Sequence, residues 1–178
     1  QKLAEFALSR KDPQYVPRAK AARELELTRR AGAPSEEAAR LLSLAGLSAG
    51  DTGIGSLVFA LKPGDGSARE QAASCQRVLG GCANIAAEYA TKRYRSNVVN
   101  WGMLPFILEG AKDAGIAAGD VVVLKGIRSA LLAEQYDRIP ATLLTGGEAK
   151  PITLSLPKMT RDERDIILAG CLINYYAQ

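Results

Sequence analysis

The sequence predicts an α/β or α+β domain carried behind an N-terminal helical arm. Three observations predict it. Apolar positions in residues 1–46 recur at helical spacing. The stretch Gly46–Gly55, rich in Gly, Ser and Asp, then reads as a boundary. Beyond it, short apolar runs flanked by Gly or Pro alternate with helical segments. With 178 residues, 47% of them hydrophobic, the chain is one domain's worth of protein plus an appendage, and it can bury a core.

Residues 2–31 read as helix on Leu3, Phe6, Ala7 and then Ala19, Ala22, Leu25, broken near Asp12-Pro13 and restrained by Pro17. Ser35-Glu36-Glu37 is a cap with acids in the first turn, opening a helix that ends near Gly46. Ser56–Leu61 is a short buried strand and Pro63–Gly66 a tight turn. Ala68–Leu79 has helical spacing and stops at Gly80-Gly81. Ala83–Ala90 fits a strand or a helix equally well. Met103–Leu108, Asp120–Lys125, Ala141–Leu144 and Ile152–Leu156 read as strands. Thr160, with Glu163 three residues on and Ile166, Ile167, Cys171 and Tyr175 beyond, signals a helix over Thr160–Tyr176.

Charge and residue usage exclude several chemistries. The whole net charge of +4 lies in residues 1–30, which hold eight Lys/Arg and four Asp/Glu; the rest is balanced at fifteen each. Those bases alternate with acids (Arg23, Glu24, Glu26, Arg29), which reads as a solvated helix face more simply than as a nucleic-acid contact. There is no histidine, which removes His-based acid–base chemistry, the Ser-His-Asp triad and nearly every zinc site. The cysteines Cys75, Cys82 and Cys171 leave one unpaired whatever happens and show no Cys-x-x-Cys, which suits the reducing cytosol. Cys75 reads as a small half-buried helix residue rather than a thiolate site. No apolar run approaches the ~20 residues of a membrane span, and no leader pattern opens the chain. The expected location is cytoplasmic.

The richest chemical segment is Lys62-Pro63-Gly64-Asp65-Gly66-Ser67-Ala68-Arg69-Glu70-Gln71. Strand, glycine turn and helix is the arrangement that aims free backbone N–H groups at an anion. Gly64 and Gly66 permit close backbone approach. Ser67 falls where a helix cap belongs, and Arg69 can fork onto a carboxylate or phosphate. The Gly-Lys-Ser/Thr ending of a P-loop is missing. On these residues alone, a plain strand–turn–helix joint, with Ser67 as cap and Arg69 in a surface ion pair, remains the competing reading.

The run Gly64-Asp65-Gly66-Ser67-Ala68-Arg69-Glu70-Gln71-Ala72, followed by Arg77-Val78-Leu79-Gly80-Gly81, resembles the swivel domain of the aconitase superfamily. That family carries Gly-x-Gly-Ser-Ser-Arg-Glu-His-Ala and then a Gly-Gly pair. Ser96-Asn97-Val98-Val99-Asn100-Trp101-Gly102-Met103-Leu104-Pro105-Phe106 is similar to its Asn-x-x-x-x-Gly-Leu-Leu-Pro segment. The resemblance covers residues 55–108. The ends, Leu3–Arg10 and Glu163–Tyr176, look like a bacterial subgroup of aconitase-like hydratases.

The resemblance implies a swivelling β/β/α three-layer α/β domain. It divides the chain into a helical arm (1–46), the swivel domain (47–159) and a C-terminal helix packed on it (160–178). Ser67 matches the family's catalytic serine, which moves the proton on the carbon next to a carboxylate. Arg69 matches a carboxylate-binding arginine, with Gly66 and Ala68 beside it as substrate-binding backbone. Reversible dehydration of a hydroxy acid needs a base for a weakly acidic C–H and a Lewis acid for the departing hydroxyl. Ala68 replaces the family's second serine and Gln71 its histidine, so the resemblance does not fix citrate or isocitrate as the substrate. A further substrate arginine of the family has no match here.

In the family a [4Fe–4S] cluster is held by three cysteines of another domain. The cysteines here lack that spacing, so the implied partners are cluster-binding domains, on the same chain or a separate subunit, and a small carboxylic-acid substrate. The expectation is therefore the swivel-domain part of an aconitase-like hydro-lyase, inactive alone, and the Gln1 start favours a cut-out of a fused chain. Two alternatives stand beside it: a non-catalytic anion- or RNA-binding module, and the separate small subunit of an isopropylmalate-isomerase-like enzyme. Lys92-Arg93-Tyr94-Arg95 is a basic knot that lines the acid-binding cleft (Lys92 and Arg95, with Gln71), meets the cluster domain, or is a surface turn. Trp101 reads as core packing rather than a stacking platform.

Overall fold

A computed structural model of the chain describes residues 1–10 and 12–177. The fold is mixed α/β, and it resolves into two compact units: Gln1–Leu57 with Ser74–Cys82, and Val58–Ala73 with Ala83–Gln178.

The first unit is built on α1 (Lys2–Ser9), α2 (Tyr15–Arg30) and α3 (Glu36–Ala45). The predicted break falls between α1 and α2, where Asp12 accepts the Gln14 N–H at 2.9 Å and pairs with Arg18. Pro17 lies in the first turn of α2, where a missing N–H loses no helical bond. The Ser35 hydroxyl accepts the Ala38 N–H at 3.3 Å, and α3 ends on Gly46 at φ 61. The core is made of Ala4, Val16, Ala19, Cys75 and Leu79, covered by Leu8 and Tyr15, with Ala4 and Ala19 the small members. Small side chains let helix backbones approach closely.

Glu26 ties α2 to the segment that follows α3. Its carboxylate accepts from Arg29, Arg30 and the Ile54 N–H, the last at 2.8 Å, while Arg29 also donates to the Ala49 carbonyl. Burial alone would raise the Glu26 pKa; these donors outweigh it and hold the group at about 2.

A three-stranded sheet has the order β1 (Ser56–Ala60), β2 (Gly81–Ala86), β3 (Leu104–Ile107), with β2 and β3 parallel and Asn84 opposite Pro105. Helix α4 (Arg69–Val78) connects β1 to β2, and α5 (Lys92–Asn100) connects β2 to β3. The division between the units passes through β1, α4 and β2.

In the second unit an antiparallel sheet follows, β4 (Val121–Leu124), β5 (Ile139–Thr145) and β6 (Glu148–Leu154), with α6 (Ile127–Leu132) between β4 and β5. Gly146 and Gly147, at φ 55 and 83, make the tight β5–β6 turn that suits two positive-φ residues. The chain ends in α7 (Arg161–Ala169) and α8 (Leu172–Tyr176).

The elements depart from expectation in four places. Ala83–Ala90 is strand only as far as Ala86; Asn84 and the small residues around it blurred the pattern. Residues 92–95, for which a surface turn was one reading, form the first turn of α5, capped by Thr91. Helix α6 was unforeseen, being only six residues long. The C-terminal helix divides at Gly170, whose left-handed φ of 92 caps α7, and its carbonyl packs so close to Gly102 that a Cβ there would lie 1.8 Å from it.

Candidate functional site

The loop between β1 and α4 belongs to the second unit and is stitched to the loop before α5. The Leu61 carbonyl accepts the N–H groups of Ala87 and Glu88, each at 3.1 Å, and the Pro63 carbonyl accepts that of Ala90 at 3.0 Å. The Gly64 carbonyl accepts from Arg69 Nε at 3.1 Å and from Thr91 Oγ1 at 3.2 Å. Gly64 has φ +97, and a Cβ there would sit 2.5 Å from the Cβ of Tyr94, with the ring just beyond. Only glycine fits this position. Tyr94 is itself buried, its hydroxyl accepting from Asn84 Nδ2 at 3.0 Å. Burial raises the Tyr94 phenol pKa, opposed by the Asn84 bond, and raises that of Tyr89 beside it.

Ser67 is exposed, and its hydroxyl bonds to no described residue. Helix α4 starts at Arg69, so the position before it is Ala68 and Ser67 stands one residue further out. The capping role that the sequence suggested for Ser67 is therefore not taken. Among the described residues, the backbone N–H groups of Gly66, Ser67, Ala68 and Arg69 also have no partner. Arg69 is half-buried; its Nε is held, while its terminal nitrogens meet no carboxylate among the described residues. Four free N–H groups beside a guanidinium can hold an anion. Gln71 lies on the exposed side of α4.

The start of α4 is fixed from α5. Trp101 Nε1 donates to Glu70 Oε1 at 2.6 Å. The Asn97 amide donates to Glu70 Oε2 and accepts the Glu70 N–H, both at 3.1 Å. Trp101 is thus half-buried packing with a polar tie at its tip.

Lys92 and Arg95 share a cleft of about 360 Å³ with Tyr89, Thr91, Ile107 and Ser155. Their environments differ. Arg95 is paired with Glu163 at 2.6 Å and donates to the Lys158 carbonyl, which binds α5 to α7. Lys92 is exposed. Of the residues singled out in the sequence, Gly66, Ser67, Ala68 and Arg69 come together on one loop, Lys92 and Arg95 line this cleft, and Gln71 lines neither.

Residues 51–110, which contain this loop together with α5 and β3, match the family model of the aconitase C-terminal domain. The fold is also similar to the crystal structure of 3-isopropylmalate dehydratase from Methanocaldococcus jannaschii, with 30% identical residues and a TM-score of 0.50. The match covers 72% of this chain and 67% of that one. The chain belongs to the aconitase superfamily. Among curated protein sequences none matches it.

Membership of the aconitase superfamily implies a [4Fe–4S] cluster in the complete enzyme, and the donors of this chain do not fit one. Cys75 is buried in the apolar core of the first unit. Cys82 points its thiol at the Ser56 carbonyl, 3.4 Å away, and burial pushes its pKa up to about 11. Among the described residues no three His, Cys, Asp or Glu side chains form a metal-holding group.

Sequence reading missed Thr91 and Asn84, and it named Tyr94 only as part of the basic knot, not as the side chain packed on Gly64. Thr91 three residues before Tyr94 is a cap signal in retrospect, but its bond to Gly64 spans 27 residues and leaves no local trace.

Proposed function

We propose that this chain is the swivel-domain part of an aconitase-like hydro-lyase that reversibly dehydrates a hydroxy di- or tricarboxylic acid. Ser67 is the catalytic residue and Arg69 grips a substrate carboxylate, with the N–H groups of Gly66 and Ala68 alongside. One observation carries the reading: Ser67 is exposed and unbonded on a loop whose neighbour Arg69 is anchored through Nε and open at its terminal nitrogens.

In the dehydration direction Ser67 takes the proton from the carbon next to a carboxylate, and in hydration it returns it. A serine hydroxyl is a weak base, so its alkoxide needs neighbouring N–H groups and positive charge. The unpartnered N–H groups from Gly66 to Arg69 and the Arg69 guanidinium are of that kind. Departure of the hydroxyl is assigned to no residue of this chain.

The likeness to 3-isopropylmalate dehydratase favours, as a second reading, a separate small subunit of an enzyme acting on that type of acid. An RNA-binding module draws less support. Among the described residues of α1, α2 and the turn between them, Arg18, Lys20, Arg29 and Arg30 each pair with an acid, leaving Lys2, Arg10 and Arg23.

The test is turnover of 3-isopropylmalate, citrate and isocitrate by the complete enzyme and its variants. Ser67→Ala lowers kcat by about 100-fold or more, and Arg69→Lys raises KM, since lysine cannot fork onto a carboxylate. Wild-type kinetics in Ser67→Ala would sink the assignment.

A further inference from the structure

We infer that Thr91 is a positioning residue for Arg69, acting through the carbonyl of Gly64. The inference rests on Arg69 binding a substrate carboxylate. That carbonyl has two donors, Arg69 Nε at 3.1 Å and Thr91 Oγ1 at 3.2 Å. The same Thr91 oxygen accepts the Tyr94 N–H at 3.2 Å, so its proton and a lone pair are both committed and its rotamer is fixed to the end of α5. Gly64 is held from the other side as well, because the Tyr94 side chain fills the space where a Cβ would lie. The carbonyl therefore has a fixed place, and by holding Nε it leaves the two terminal nitrogens for an end-on fork onto a carboxylate.

Restraining Arg69 in advance removes rotamer freedom that substrate binding would otherwise have to freeze. Glu70 does not duplicate this restraint. Its bonds to Trp101 and Asn97 fix the first turn of α4 and leave the Arg69 side chain to Gly64. Thr91 itself lies beside Lys92 at the cleft rather than on the Ser67 loop, so it acts through another residue.

Aspartate separates the two duties of Thr91. It caps a helix as well as threonine does, but an ionised carboxylate has no proton to donate to a carbonyl. In the complete enzyme, with whichever of 3-isopropylmalate, citrate and isocitrate is turned over best, Thr91→Asp keeps the melting temperature. It raises KM about tenfold with kcat within about twofold of wild type. Thr91→Val, which loses both bonds, raises KM at least as much, and Thr91→Ser, which keeps both, restores it.

A wild-type KM in Thr91→Asp, alongside a raised KM in Arg69→Lys, overturns the role of Thr91 and leaves that of Arg69 standing. If Arg69→Lys leaves KM unchanged, the carboxylate reading fails and this inference with it. Should Thr91→Asp melt early, Ser and Val at position 91 decide the matter well below their melting temperatures, and equal KM values overturn the inference.

Discussion

At the scale of single residues, the loop from Gly64 to Arg69 separates groups tied into the structure from the Ser67 hydroxyl, which bonds to none of the described residues. Gly64 is structural. Gly64→Ala meets both a positive φ and the Tyr94 side chain, and is expected to cost about 2 kcal/mol or more in urea unfolding. Ser67 is the opposite case. Its hydroxyl bonds to none of the described residues, so Ser67→Ala is expected to change stability by no more than about 0.5 kcal/mol while turnover collapses. Had it been a cap, the loss would be about 1 kcal/mol. The residue types and order of this loop were legible in the sequence, because glycine, serine and arginine at that spacing carry their chemistry locally. The roles of Thr91, Tyr94 and Asn84 were not, since each is defined by a contact with a residue far along the chain.

At the scale of elements, legibility follows the caps. Thr160 and Glu163 form a reciprocal capping box at α7, and Ser35 with Gly46 brackets α3, as the sequence signals foretold. Thr160→Ala is expected to cost about 1 kcal/mol in urea unfolding. By contrast α5 buries only Tyr94, Val98 and Val99, and its polar remainder hid the period. Strand β2 is fixed by pairing with β3 rather than by its own residues. The tie from α2 to Ile54 carries a pH signature. The Glu26 carboxyl is held at about 2 against an ordinary 4.5. A lowered folded pKa gives stability that is fully present above about pH 4.5 and is lost as pH falls toward about 2. Urea unfolding across that range should show the decline in the wild type and a flatter profile in Glu26→Gln, which starts from a lower stability at pH 7.

At the scale of the whole molecule, the mixed α/β class was readable from apolar runs between Gly and Pro together with the helix caps, while α5 and α6 escaped. The composition of the two compact units was not readable, because each is assembled from separate stretches of chain and the division runs through β1, α4 and β2. The loop that bears Ser67 is, in the account given above, one half of a catalytic site whose other half lies on cluster-binding partner domains. The most direct measurement is the mass, iron and sulfide of the native protein isolated without oxygen, set beside turnover by the 178-residue chain alone. The expected result is a larger species carrying about four iron and four sulfide, and an isolated chain that is free of iron and turns over no hydroxy acid. Turnover by the isolated chain, or a native species of its mass alone and without iron, would contradict the account.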